Sequence, residues 1–130
     1  MRIKEILYEL PVLHQQAINE IRLRVGRPVT LHTPTRVDIL KHNGQPVVTE
    51  KQDIEESYRR ICDFSIYSHQ EEIKKGYITI MGGHRVGISG TAVLQQGQIA
   101  TVREISSLNI RVARQVYGAA NELLSRIGQD

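Results

Sequence analysis

A period of two dominates this sequence, and it recurs in two separated blocks. In Glu20-Ile21-Arg22-Leu23-Arg24-Val25 aliphatic and charged residues alternate strictly. A β-strand points successive side chains to opposite faces, so Ile21, Leu23 and Val25 read as one buried side and Glu20, Arg22 and Arg24 as an open one. A helix would scatter the same residues around its circumference. Val29 to His32 and Arg36 to Leu40 are shorter runs of the same kind, divided by Gly26-Arg27-Pro28 and Thr33-Pro34-Thr35 and closed by the Asn43-Gly44 turn signal. The opening third therefore reads as an antiparallel meander. The second block comprises Tyr77 to Met81, Arg85 to Leu94 and Ile99 to Ile105, with turns at Gly82-Gly83 and Gln95-Gln96-Gly97-Gln98. Its middle run assigns Val86, Ile88, Ala92 and Leu94 inward, and Arg85, Gly87, Ser89 and Thr91 outward.

Between the blocks the period changes to that of a helix. Thr49 and Gln52 form a capping-box signature, after which Ile54, Tyr58, Ile61 and Cys62 mark one helical face. Ser68 with Glu71 is a second such signature, before a helix carrying Ile66, Gln70 and Ile73 that Gly76 terminates. Ile3, Ile6, Leu7 and Leu10 give a short amphipathic helix stopped by Pro11, and Val112, Val116, Ala119, Leu123 and Ile127 give a terminal one. Leu108 to Arg111 stay open between strand and helix start. The expected fold class is α+β: two antiparallel meanders flanking a central helix pair, with a C-terminal amphipathic helix.

With 130 residues, 40% of them hydrophobic, the chain fits one domain, residues 1–130, around one core. No run approaches the roughly 20 apolar residues of a membrane span, and charges interrupt the first ten residues where a signal peptide is apolar. A soluble cytoplasmic protein is the expectation. Cys62 is the sole cysteine, which excludes a disulfide framework and a multi-cysteine zinc site; on an apolar helix face it reads as a small core residue. His14, His32, His42, His69 and His84 form no HxH or HxxxH pair, so no metal site is expected. Glu71 and Glu72 are helix neighbours that cannot face each other, which argues against an acid and base pair. No catalytic residue is expected.

One string is nucleotide-like. Gly82 to Ser89 has the GxxxxG spacing and terminal serine of a Walker A loop, but Ile88 stands where the lysine must be. A P-loop also needs a helix directly after it to aim backbone N–H groups at phosphates, and here an alternating strand continues. Gly82-Gly83 reads as a hairpin turn. The charges are more informative: of 17 basic residues 12 are arginine, and from Tyr77 onward Arg85, Arg103, Arg111, Arg114 and Arg126 stand without a lysine. The planar guanidinium fork grips carboxylate or phosphate at two points, so the bias suggests phosphate or acidic partners, with solvated surface charge as the alternative.

Three ordered strings, Glu20 to Pro28, Gly76 to Gly87 and Arg103 to Arg114, resemble the stage III sporulation AA family, a branch of the ring-forming ATPases of type II and type IV secretion and pilus machines. The resemblance spans Glu20 to Ile127. It implies an amino-terminal regulatory and assembly domain of a hexameric ATPase that energises the channel between mother cell and forespore. The family's P-loop motor domain would follow the terminal helix, beyond Asp130. No cofactor is implied for this chain; ATP and magnesium are implied for the full-length protein. The implied partners are its own motor domain, neighbouring subunits of a homo-hexamer and a membrane platform protein, at the mother-cell side of a membrane complex.

Matched by motif, Arg85 and Arg103 take the places of arginines that reach nucleotide phosphates in the motor domain, with Arg111 and Arg114 nearer the linker. A guanidinium brought to a terminal phosphate stabilises charge on the transferring group and couples domain closure to nucleotide state. The competing reading pairs Arg85 or Arg103 with a carboxylate such as Glu104, or leaves them solvated. Glu20, Arg22 and Arg24 suit a domain or subunit interface, or a solvated face. A second function class, a small basic nucleic-acid-binding domain, follows from the pI of about 9.2. Its aromatic supply is poor: one Phe, no Trp and five Tyr, of which only Tyr77 falls on an expected strand. Nucleic acid is accordingly not an expected partner.

Overall fold

The computed structural model describes residues 2–62, 69–80 and 82–113. In chain order its elements are α1 (Arg2–Tyr8), α2 (Val12–Ala17), β1 (Glu20–Arg24), β2 (Thr30–His32), β3 (Val37–Ile39), β4 (Lys41–His42), β5 (Gln45–Pro46), α3 (Lys51–Ile61), α4 (Gln70–Lys74), β6 (Tyr77–Ile80), β7 (His84–Gln95) and β8 (Gln98–Arg111). The fold is α+β, with an antiparallel six-stranded sheet in the order β3-β2-β1-β8-β7-β6 and a separate β4-β5 hairpin. Asn43 (φ 53°) with Gly44 (φ 76°), and Gln96 (φ 54°) with Gly97 (φ 77°), have the paired positive φ of two-residue hairpin turns whose twist matches the strands they join.

The two strand blocks fuse through β1 and β8, which pair from Glu20 with Arg111 to Arg24 with Ser107. Leu108 to Arg111 are thus strand, because Ile110 lies between Ile21 and Val86 in the ladder. One sheet face is apolar: Leu31, Ile21, Ile110, Val86 and Ile78 form one row, and Leu23, Leu108 and Ile88 the next, all buried. Ile3, Ile6 and Leu7 of α1, Ile54, Tyr58 and Ile61 of α3, and Ile73 of α4 complete the same core. An antiparallel sheet packed on one side leaves its other face to water and partners. Cys62 is fully buried within this core, and burial pushes its thiol up to about 11, so it is inert packing.

Three local expectations change. Helix α3 is capped at Glu50 rather than Thr49, with Asp53 Oδ2 accepting the Glu50 N–H at 2.8 Å. Thr49 is held extended by bonds from its N–H to the Arg27 carbonyl and from the Gly26 N–H to its own, so the helix starts one residue later. Pro11 separates α1 from a further short helix, α2, instead of closing a lone one. Ala92 and Leu94 point to solvent, Leu94 being 61% exposed. The reason is a bulge: Ser89 pairs with Ser107 but Thr91 with Arg103, so Gly90 alone opposes Glu104, Ile105 and Ser106, and Glu104 adopts φ 48°. Of the expected C-terminal helix, Val112 is described and is not helical, while Val116 to Ile127 lie outside the described residues, as do Ile66 and Ser68. Val112 is buried, and its N–H donates to the Asn19 carbonyl at 2.8 Å.

Gly76 ends α4 as expected, at φ 87° with its N–H on the Ile73 carbonyl. Glu72 then staples α4 to β6: one carboxylate oxygen accepts the Thr79 N–H at 2.9 Å and the other lies 3.2 Å from His69 Nδ1. The Thr79 N–H, followed by His69, holds the Glu72 carboxyl below its ordinary range. A carboxyl depressed on folding adds stability above its unfolded pKa and loses it as pH falls through the folded value. Glu72→Gln is therefore expected to flatten the acid limb of stability below about pH 4 while changing stability at pH 7 by less than about 1 kcal/mol. Urea melts at pH 3 and pH 7 check this, and parallel acid limbs in the two proteins would refute it.

Candidate functional site

The alternation that fills the core on one side builds an arginine-rich face on the other. Its strand positions are Glu20, Arg22 and Arg24 on β1, Thr30 and His32 on β2, Ser107, Asn109 and Arg111 on β8, Arg85, Gly87 and Ser89 on β7, and Tyr77 and Thr79 on β6. Glu20 is the single carboxylate among them, against Arg22, Arg24, Arg85 and Arg111. Such a face has a positive potential that draws anions.

Register sets the inner geometry. Arg111 lies between Glu20 on β1 and Arg85 on β7. Glu20 accepts from Arg22 Nε at 2.6 Å and lies 3.6 Å from Arg111 Nη2; its side chain is 10% exposed, that of Arg111 73%. Glu20 is therefore a covered brace for two guanidiniums and not an open surface residue, which corrects its expected place on the exposed side. The Arg85 guanidinium lies 4.3 Å from the centre of the Tyr77 ring, a cation–π contact that holds it in place without neutralising it. Arg85, Arg111, Asn109, Tyr77 and Glu20 enclose a hollow of about 240 Å³ floored by Gly87. Two guanidiniums over a floor without a side chain can accept one anionic group.

The expected phosphate-contacting residues do not all converge. Arg85 and Arg111 are cross-strand neighbours. Arg103 pairs with Thr91, six residues along β7 from Arg85, or about 20 Å at strand rise, on the arm beyond the bulge. It is exposed and forms no ion pair with Glu104 among the described residues. Arg114 lies outside the described residues. His84, next to Arg85, is buried and accepts the Ala113 N–H at its Nδ1 at 3.0 Å, pinning the chain as it leaves β8.

A second hollow of about 310 Å³ adjoins the first on the same face, lined by Arg22, Arg24, Arg27, Pro28, Thr30, His32, Val37 and Ile39. Burial, then the charge of Arg22, lowers the pKa of His32 there. Sequence reasoning missed Arg27, which lies in a turn and outside the alternation, and it did not join Tyr77 and Asn109 to Arg85. Tyr77, Gly87 and Asn109 share a row, a fact of register. Among the described residues no group of three or more His, Cys, Asp or Glu side chains converges to hold a metal, and no helix is long and apolar enough to cross a membrane.

Comparison with known proteins gives the chain a family context. The stage III sporulation protein AA of Bacillus subtilis (strain 168) is 38% identical over 131 residues, covering 98% of this chain and 40% of that protein. The chain thus spans well under half the length of this curated relative. Among solved structures, the Legionella pneumophila ATPase DotB aligns with a TM-score of 0.44 and 13% identity over 85% of this chain and 28% of that one. The pilus retraction motor PilT with bound ADP aligns at 0.45 and 16% over 88% and 29%. A family model described as "Sporulation stage III, protein AA" matches residues 1–130. On that match over its whole length, the chain belongs to the sporulation stage III protein AA family.

Proposed function

We propose that this chain is the amino-terminal regulatory and assembly domain of a hexameric secretion-type sporulation ATPase, which energises the channel complex between mother cell and forespore. The carrying observation is the juxtaposition of Arg85 and Arg111 on one exposed sheet face, Arg85 having no carboxylate partner among the described residues. In this reading the two guanidiniums meet the terminal phosphate of ATP–magnesium held by a motor domain, which supplies the hydrolytic chemistry; the present chain supplies none. Such a contact exists only while the phosphate does, so it links the position of this domain to nucleotide state. Arg22, braced by Glu20, and Arg24 belong to the interface with neighbouring subunits or with a membrane platform protein. Arg103, some 20 Å away on the arm, serves a different contact from Arg85, because one phosphate is only a few ångströms across.

The test is ATP turnover by the full-length protein. Arg85→Ala and Arg111→Ala are each expected to lower it by about 10- to 100-fold, the loss of one charge-assisted hydrogen bond or two at the transferring phosphate. Arg103→Ala is expected to change it less. Turnover at the parental rate in both Arg85→Ala and Arg111→Ala would remove this face from the nucleotide site. The nucleic-acid alternative has few rings for bases to stack on: among the described strand positions of the outward sheet face Tyr77 is the one Tyr, Trp or Phe, and Arg85 already covers its ring.

A further inference from the structure

We propose that the hollow between β1, the Gly26–Pro28 turn and β3 is a docking site for an acidic protein segment in extended conformation, with carboxylates alternating with aliphatic side chains. The proposal deepens, and rests on, the interface reading of Arg22 and Arg24; it is independent of the phosphate reading of Arg85 and Arg111. Three arginines line the hollow and no carboxylate does. Glu20 meets Arg22 at its Nε from the neighbouring hollow, while Arg24 and Arg27 are exposed and form no ion pair among the described residues.

The opposite wall is apolar. Val37 and Ile39, on the outward side of edge strand β3, are 59% and 47% exposed, and Pro28 extends that surface. The backbone of a phosphodiester strand is charged and covers aliphatic side chains poorly, and the lining residues offer no Tyr, Trp or Phe ring on which a base could stack. A peptide with both carboxylates and aliphatic groups satisfies the two walls together. Spacing favours an extended one: Arg22 and Arg24 are two residues apart on one strand face, about 7 Å, which is also the repeat of alternate side chains in an extended peptide. At about 310 Å³ the hollow suits a few side chains rather than a folded element.

The experiment titrates the chain with a fluorescein-labelled peptide of alternating Glu and Val, and with a block peptide of the same composition, Glu residues first. Thymidine oligonucleotide and polyphosphate of equal charge are run beside them. Saturable binding of the alternating peptide is expected, several-fold tighter than the block peptide or either phosphate polymer. Arg24→Glu with Arg27→Glu should weaken it by about tenfold or more, and Val37→Ser with Ile39→Ser by about threefold. Arg85→Ala should leave it unchanged. Thermal melts confirm that the variants fold, and Arg24→Lys with Arg27→Lys, which keeps the charge, should retain most of the binding.

Absence of saturable peptide binding would overturn the proposal, as would equal affinity for the phosphate polymers or indifference to the Val37 and Ile39 changes. The interface reading is scored separately, by native mass spectrometry of the full-length protein carrying Arg24→Glu and Arg27→Glu. Lost assembly without peptide binding would keep the interface and discard the acidic segment. Intact assembly together with peptide binding would place the segment on a partner outside the ring.

Discussion

Replacing Asp53 by alanine is expected to destabilise the chain by about 2–3 kcal/mol, lowering the melting temperature by roughly 10 °C for a domain of this size. Asp53 is nearly buried at the first turn of α3 and has two functions there. Its Oδ2 takes the N–H of Glu50, a helix-terminal donor that otherwise lacks a partner, and loss of such a cap costs about 1 kcal/mol. It also receives Arg2 of α1, Nη2 at 2.5 Å and Nε at 3.3 Å, while a second bond from Nη2 reaches the Val48 carbonyl at 2.9 Å. The bond to Asp53, partly offset by burial, raises the pKa of Arg2. Because the Arg2 side chain is 44% exposed, this pair contributes less than a fully buried one, which sets the total at about 2–3 rather than 5 kcal/mol. Asp53→Asn keeps an oxygen for the cap and loses the charge, so it should cost about half as much. Chemical denaturation of both variants and of Arg2→Ala checks the division. Equal losses for Asn and Ala would show that the cap contributes nothing.

Gly90→Ala is expected to cost about 2–3 kcal/mol, and to act locally on the β7–β8 arm. A Cβ at residue 90 would stand 2.6 Å from the Arg103 carbonyl oxygen and 3.0 Å from both the Glu104 carbonyl oxygen and Ile105 Cα. All three are backbone atoms of the bulge, which cannot swing aside as a side-chain end can. Gly87 supplies the control: its Cβ would meet Asn109 Cβ at 3.7 Å, an ordinary contact, so Gly87→Ala should alter stability by less than about 0.5 kcal/mol. Glu104, the left-handed residue of the same bulge, provides the opposite sign. Glu104→Gly relieves that conformation and should raise stability by up to about 1 kcal/mol. Hydrogen exchange in the Gly90→Ala protein should quicken first at Thr91 to Arg103. An unchanged melt and unchanged exchange would mean that the bulge yields freely and does not fix the direction of the arm that holds Arg103.

Much of this molecule is legible in its residues alone. Period-two runs identified β1, β2, β3, β6, β7 and the first part of β8, because a strand with one buried face must alternate or expose its core. Helical spacing identified α1, α3 and α4 for the same reason at another period. Of the arginines that mark the final segment, Arg85 and Arg111 meet on the outward sheet face, and the poor fit of Gly82 to Ser89 to a P-loop anticipated the β6–β7 turn that the structure contains.

What the sequence determined by itself was thus which side of β1, of β2 and of β7 up to Ser89 faces water, since away from the bulge that depends only on the order of neighbouring residues. Tertiary structure alone decided which outward residues meet. Glu20 and Arg111 lie at opposite ends of the described sheet residues in chain order and become partners through the β1–β8 pairing. Arg85 and Arg103, close in sequence, are carried apart by the length of β7 and the bulge at Gly90. Strand register is an agreement between distant segments, settled by how their apolar faces pack together. No local pattern contains it, which is why Tyr77 and Asn109 joined the site only once the sheet had formed.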